Sequence, residues 1–187
     1  FELKNKNAFA AGIKGGFDID LFAMNLYTEH LSGKGNIDAG FEYSPEKMNA
    51  LGKITGFTIN NKRNTSTIDE TLFELMATDS LTVSKLNSGF LKANFRSHAS
   101  LTDFKNAFDS TKVETIINLD STNFLNLNAI SNLEQFNLAA TVHHNQVFNL
   151  FYPDSVLNFS DINIDIYKND INSDVESKIS TDWISYN

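Results

Sequence analysis

In Ile37-Asp38-Ala39-Gly40-Phe41-Glu42-Tyr43, apolar side chains at 37, 39, 41 and 43 alternate with Asp38, Gly40 and Glu42. A period of two places one set on each face of an extended strand. The pattern recurs outward from that stretch. Phe17, Ile19 and Leu21 alternate with Asp18 and Asp20, and Leu91, Ala93 and Phe95 with Lys92, Asn94 and Arg96. Phe136, Leu138, Ala140 and Val142 share one parity, as do Ile162, Ile164 and Ile166, and Ile171, Val175 and Ile179 oppose Asn172, Asp174, Glu176 and Lys178. Strands with one dry and one wet face pair antiparallel, because parallel sheets are buried on both faces and read as continuous apolar runs. The chain is expected to be all-β.

Between these runs lie stretches rich in turn formers: Ser32-Gly33-Lys34-Gly35, Asn60 to Thr67, and Lys168-Asn169-Asp170, the last placed as a hairpin turn. Ile54 and Phe57 have opposite parity around Gly56, which predicts a β-bulge there. Two segments depart from alternation. Ser100 caps a short helix with Leu101, Phe104, Ala107 and Phe108 on one face and Asp103 at the capping-box position. Val147, Phe148, Leu150 and Phe151 are spaced for a helical turn ending at Pro153. Such short helices are unstable alone, so both must dock on, or plug, something apolar. Met24 to His30 carries no decisive pattern.

The chain has 187 residues, enough for one sizeable domain or part of a repeated array. It opens at Phe1 without an initiator Met and stops just after Trp183-Ile184-Ser185-Tyr186. We therefore expect a single β-rich segment, residues 1–187, of a longer protein. It contains no Cys, so disulfides, thiolate metal sites and a Cys nucleophile are excluded. A formal charge of −8 disfavours a nucleic-acid partner. No stretch reaches the roughly 20 apolar residues of a spanning helix. Phe is abundant (16) and Trp (1) and Pro (2) are scarce, a balance suited to strands joined by polar turns.

Catalytic patterns are missing. Adjacent His143 and His144 point to opposite faces of a strand and lack a third ligand, and His30 and His98 are isolated. Asp18 and Asp20 share a strand face, but their apolar neighbours mark that face as the solvated one. Gly33-Lys34-Gly35 lacks the setting of a phosphate loop, and no nucleophile elbow occurs. Neither enzyme chemistry nor a cofactor or metal is expected.

Three stretches carry a resemblance. Gly33-Lys34-Gly35-Asn36-Ile37-Asp38-Ala39 opens a strand after glycines. Leu86-Asn87-Ser88-Gly89-Phe90-Leu91-Lys92-Ala93-Asn94-Phe95 is followed by Leu101-Thr102-Asp103-Phe104-Lys105-Asn106-Ala107-Phe108, a strand and then a small helix. Val147-Phe148-Asn149-Leu150-Phe151-Tyr152-Pro153-Asp154 precedes further strands. In this order they resemble the translocation and assembly module (TamB) family of the wider AsmA-like group, in its Bacteroidota-like form. Ser97 departs from the resemblance, which has a glycine closing that strand, and the family's N-terminal anchor and C-terminal region are not recognisable.

The resemblance implies an elongated, sequentially paired sheet, curled into an apolar trough (a β-groove) with one or two short helices. It implies a periplasmic location in the cell envelope, with the parent protein anchored in the inner membrane. It further implies transport of phospholipid acyl chains between inner and outer membranes, and a BamA-like outer-membrane assembly protein as partner. The expected lipid-contacting lining is Ile37, Ala39, Phe41, Leu91, Ala93, Phe95, Phe136, Leu138, Val142, Ile162, Ile164 and Ile166.

A closed β-sandwich produces the same alternation, so a structural or adhesive surface module is the competing reading. It calls for a sealed core and aromatics clustered on loops, for which Tyr27, Tyr152, Trp183 and Tyr186 are scattered candidates. A glycan-cleaving β-helix would need convergent carboxylates and regular coils, and neither is present. Charge at Phe95 separates trough from core: in an open trough Asp there blocks transport and spares the fold, whereas in a sealed core it unfolds the domain.

Overall fold

The structure, a computed structural model, describes residues 2–5, 8–20, 23–24, 31–61, 63–100, 102–103, 106, 135–150, 157–170 and 174–186. Its strands are β1 (Glu2–Asn5), β2 (Ala8–Asp20), β3 (Leu31–Tyr43), β4 (Lys47–Asn61), β5 (Thr65–Thr78), β6 (Thr82–Ser88), β7 (Leu91–Ser97), β8 (Phe136–Val142), β9 (Leu157–Phe159), β10 (Ile162–Lys168), β11 (Glu176–Ser180) and β12 (Ile184–Tyr186). Ten form one antiparallel sheet in the order β1-β2-β3-β4-β5-β6-β7-β8-β10-β11, while β9 and β12 pair separately. The sheet is curled and does not close on itself.

Near-sequential order follows from short connections. At the β3–β4 turn Ser44 N donates to Lys47 O at 2.8 Å, and at the β5–β6 turn Thr78 N donates to Leu81 O at 2.8 Å. Ser88 Oγ donates to Leu91 O at 3.2 Å across the β6–β7 turn. Asn61 closes β4 to β5 by accepting Asn64 N at 2.7 Å on its side-chain oxygen. Turns this tight leave the next strand no place except beside the last one.

The bulge lies where parity places it. Pairing of β3 with β4 slips by one between Lys34↔Thr58 and Asn36↔Thr55, and Gly56 there has φ +57°. The extra residue returns Phe57 and Ile59 to the face that Ile54 occupies. β5 follows β4 through the same point, pairing Thr55↔Glu70 and Phe57↔Ile68, so the neighbours Asp69 and Glu70 are both exposed.

Ser32-Gly33-Lys34-Gly35 is not a turn. It lies inside β3, paired with β2 and β4 on its two sides. The glycines clear space for rings from both neighbours: a Cβ on Gly33 would sit 2.8 Å from Phe57 Cε2, and one on Gly35 3.1 Å from Phe17 Cζ. Phe17 and Phe57 meet over them, with centroids 5.7 Å apart. Gly33→Ala is accordingly expected to cost about 1–3 kcal/mol of unfolding free energy. Gly40→Ala, where nothing lies within 4 Å of the added carbon, should cost none. Urea melts of the two variants check this; equal stability would show that the rings yield freely.

The two helical expectations fall differently. Gln146–Leu150 is a 3-10 helix, as the apolar spacing indicates. Ser100 caps as expected: its Oγ accepts Asp103 N at 3.1 Å and donates to Asp103 Oδ2 at 2.6 Å. Thr102 and Asp103 are helical, while Leu101, Phe104, Ala107 and Phe108 lie outside the described residues. So do Ile171, Asn172, Phe151, Pro153, His30 and most of Met24 to His30. The late strand is shorter than its alternation, starting at Glu176, one residue after Val175.

Candidate functional site

Residues directly opposite across an antiparallel pair put their side chains on the same face of the sheet. Tracing the register strand by strand gives one continuous row, Ile13–Ala39–Gly52–Phe73–Leu86–Ala93–Ala140–Ile164–Ile179, from β2 to β11. The adjacent row runs Ala11–Phe41–Ala50–Leu75–Ser84–Phe95–Leu138–Ile166–Ser177. On its other side Ile37 pairs Ile54, and Leu91 pairs Val142, which pairs Ile162. Every lining position expected from sequence therefore lies on one face, Phe136 joining it opposite Ser97.

The opposite face is mixed, with ion pairs beside an apolar group of Leu51 (61% exposed), Met76 and Val83. Lys14 Nζ donates to Asp38 Oδ2 at 2.7 Å, which holds that ammonium above its ordinary value, first through the hydrogen bond and then through charge attraction. Lys53 pairs with Glu70, and Lys85 lies 3.5 Å from Glu74. Asp18 and Asp20 are exposed there as well, consistent with a solvated strand face.

Among the described residues the apolar face is covered at its ends, and Ile13 and Phe73 between them stay exposed. At one end the 3-10 helix lowers Val147 and Leu150 onto Ile68, with Phe57, Ile59, Phe90 and Phe148 around them. Asn61 Nδ2 donates to Leu150 O, and Phe148 meets Phe159 of β9 at 5.4 Å, which ties the small β9–β12 pair to that cap. At the other end Ala99 and Phe136 are buried with Phe95, Ile166 and Val175 packed against them. Between the caps, on β2 to β5, Ile13 is 62% exposed and Phe73 39%. A groove of about 500 Å3 runs there, its inner-face lining including Ile37, Ala39, Phe41, Ile54 and Phe73.

Among the described residues the buried apolar side chains Ile68, Val147 and Leu150 at one end, and Ala99 and Phe136 at the other, form two separate clusters. A sealed sandwich would bury one continuous core between its sheets. Ser97 is completely buried, opposite Thr82 on one side and Phe136 on the other.

A larger hollow of about 710 Å3 lies on the opposite face, with Glu42, Leu51, Glu74, Met76, Val83 and Lys85 among its lining. Twist makes a sheet saddle-shaped, so each face is concave along one diagonal. Its three charged residues make it the less suitable bed for an apolar ligand.

The chain matches no protein-family model, no curated protein and no solved structure.

The inner face divides the expected lining into groups. Ile37, Ala39 and Phe41 border the open groove, whereas Phe95, Phe136 and Ile166 belong to the packed end cluster. Ala93, Leu138 and Ile164 lie half-buried in the middle rows, and Leu91, Val142 and Ile162 form the row toward the 3-10 helix. Ile13, Ile54 and Phe73 were not legible as lining. In β5, Leu72, Phe73, Leu75 and Met76 put apolar residues at both parities, so alternation does not reveal which of them faces inward.

No group of three or more His, Cys, Asp or Glu among the described residues is placed to hold a metal. His143 and His144 are a strand-end pair with different neighbours. His143 Nδ1 lies 2.9 Å from Asp161 Oδ1, while the His144 ring meets Phe159 edge-on. His98 is exposed, and its backbone N–H donates to Gln135 O. Among the described residues no helix is long and apolar enough to cross a membrane.

Proposed function

We propose that this chain is a conduit segment that holds phospholipid acyl chains against its inner face during their passage between the inner and outer membranes. The carrying observation is a pair of rows crossing the sheet from β2 to β11, one apolar throughout and the other apolar except at Ser84 and Ser177. Their residues outside the end cluster of Phe95 and Ile166 stay half-exposed or exposed. Exposed methylenes cost roughly 0.8 kcal/mol each in water, so a dry track lowers the barrier to moving a lipid. Acyl chains need no directional bonds, which suits a lining of Phe, Ile, Leu and Ala without a polar constellation.

Size supports the reading. With strands about 4.8 Å apart, the rows extend roughly 40 Å. One leaflet's acyl chains occupy about half of a ~30 Å hydrocarbon core. The rows therefore exceed a single acyl chain, and similar residues along them provide no single tight site to trap it. A periplasmic setting, an inner-membrane anchor on the parent protein, a role in outer-membrane assembly and a BamA-like partner complete the proposal. They rest on the resemblance given above. The competing adhesive module needs a second sheet over this face; the second sheet described has two strands, β9 and β12.

The test is mass spectrometry of small molecules that co-purify with the chain after periplasmic expression and detergent-free washing. Phospholipid at near-stoichiometric amounts is expected. Folded, lipid-free protein would overturn the conduit and favour the closed module.

A further inference from the structure

A glycine inside a strand weakens it and brings no side chain to pack, so its presence calls for a local reason. Gly33 and Gly35 lie beside the Phe17 and Phe57 rings, and Gly56 takes a φ of +57° at the bulge. Gly40 and Gly52 have neither reason, and of the two it is Gly52 that faces the apolar groove. Its φ is not positive. Among the described residues, a Cβ added to Gly52 would meet Ala39 Cβ at 3.7 Å and Phe73 Cβ at 4.0 Å, both ordinary van der Waals contacts. The described fold thus has room for a side chain at this position and no backbone need to omit one.

The surroundings show what the omission leaves. Gly52 pairs Ala39 on one side and Phe73 on the other. Ile37 and Ile54, themselves paired, rise beside it in one direction along the strand, and Phe41 in the other. Ala39 and Gly52 therefore form the floor of the groove, between branched and aromatic walls. A carbon placed where the Cβ of Gly52 would be touches both Ala39 and Phe73, so the slot is one methylene wide in that direction.

We propose that Gly52 is the specificity-determining position of this groove: its missing side chain admits an unbranched methylene chain down to the backbone of β4 and turns away ring-bearing hydrocarbons. The inference rests on the acyl-chain reading of the groove and adds to it which chains can be seated. It makes folding and binding respond in opposite directions to one substitution.

Gly52→Val should hold or raise the melting temperature, because valine suits a strand and its Cβ fits. On protein washed free of lipid, electron paramagnetic resonance of nitroxide-labelled stearic acid reads binding. Gly52→Val should weaken that binding about tenfold, as about two methylenes lose the floor. Gly52→Ala should fall between Val and the unaltered chain. Gly40→Val, on the opposite face of β3, where nothing lies within 4 Å of the added carbon, should leave binding unchanged. A nitroxide-labelled cholestane, whose fused rings exceed the slot, should stay free at concentrations where the stearic acid saturates.

A melting temperature lowered by Gly52→Val would show that other parts of the chain already fill the slot, and would overturn the proposal. So would undiminished binding to Gly52→Val, binding of the cholestane as strong as that of stearic acid, or no binding of stearic acid by the unaltered protein. Undiminished binding to Gly52→Val removes the role of Gly52 and leaves the conduit standing. The conduit itself fails on a different observation, folded protein that carries no phospholipid after periplasmic expression.

Discussion

Phe73→Asp is expected to reduce bound phospholipid to background while leaving the sheet intact. Phe73 sits mid-row between Gly52 and Leu86, 39% exposed, on the wall of the open groove. A charge there keeps its water in the lipid-free protein, so folding loses little. With an acyl chain in place, that water must leave and no partner replaces it. Losing the contacts of one large apolar side chain is worth about 2–3 kcal/mol, or roughly 30- to 150-fold in occupancy. Lipid quantified by mass spectrometry, beside circular dichroism and a thermal melt, decides the matter. Undiminished lipid with an unchanged melt would remove Phe73 from the lining. Phe95→Asp is a poorer test, because Phe95 packs near Phe136, with ring centroids 6.4 Å apart, inside the end cluster. Loss of lipid there would be confounded with loss of packing.

The second large effect concerns the cap at the other end. Ile68 is 4% exposed and packs beneath Val147 and Leu150. Ile68→Ala removes three carbons from a site whose neighbours come from a single short 3-10 helix and the sheet. A buried Ile-to-Ala change costs about 2–5 kcal/mol when the surroundings collapse only partly. Among the described residues the helix is further held by Asn61 Nδ2 donating to Leu150 O and by Phe148 against Phe90 and Phe159. The expected result is an unfolding free energy lowered by that amount, read from denaturant melts, and faster hydrogen exchange at Val147 and Phe148. Loss of protection limited to the helix would mark it as a separately opening cap. Loss spread along β4 and β5 would show that it staples the sheet. Unchanged stability would mean that the cap contributes nothing.

The strand character of this chain is legible because period two is a local property. Ile37 to Tyr43 or Leu91 to Phe95 reveal their dry faces to anyone counting parity, and short polar turns then impose antiparallel neighbours. Even the bulge at Gly56 is visible as a break in that count. Glycines mislead for the opposite reason. Gly33 and Gly35 carry turn chemistry in their composition, yet they sit in a strand because Phe17 and Phe57, remote in sequence, cover them.

Parity also says which residues share a face, and every lining position so chosen proves to be on one side of the sheet. What it cannot say is what lies above that face. Phe41 and Phe136 have the same local signature, but one borders an open groove and the other is buried under Ala99 and Val175. Fold class and facing were thus determined by sequence alone, through contacts between near neighbours. Only tertiary structure decided where the 3-10 helix lands, which rows it seals, and that the sheet curls without closing, because burial depends on residues far away along the chain.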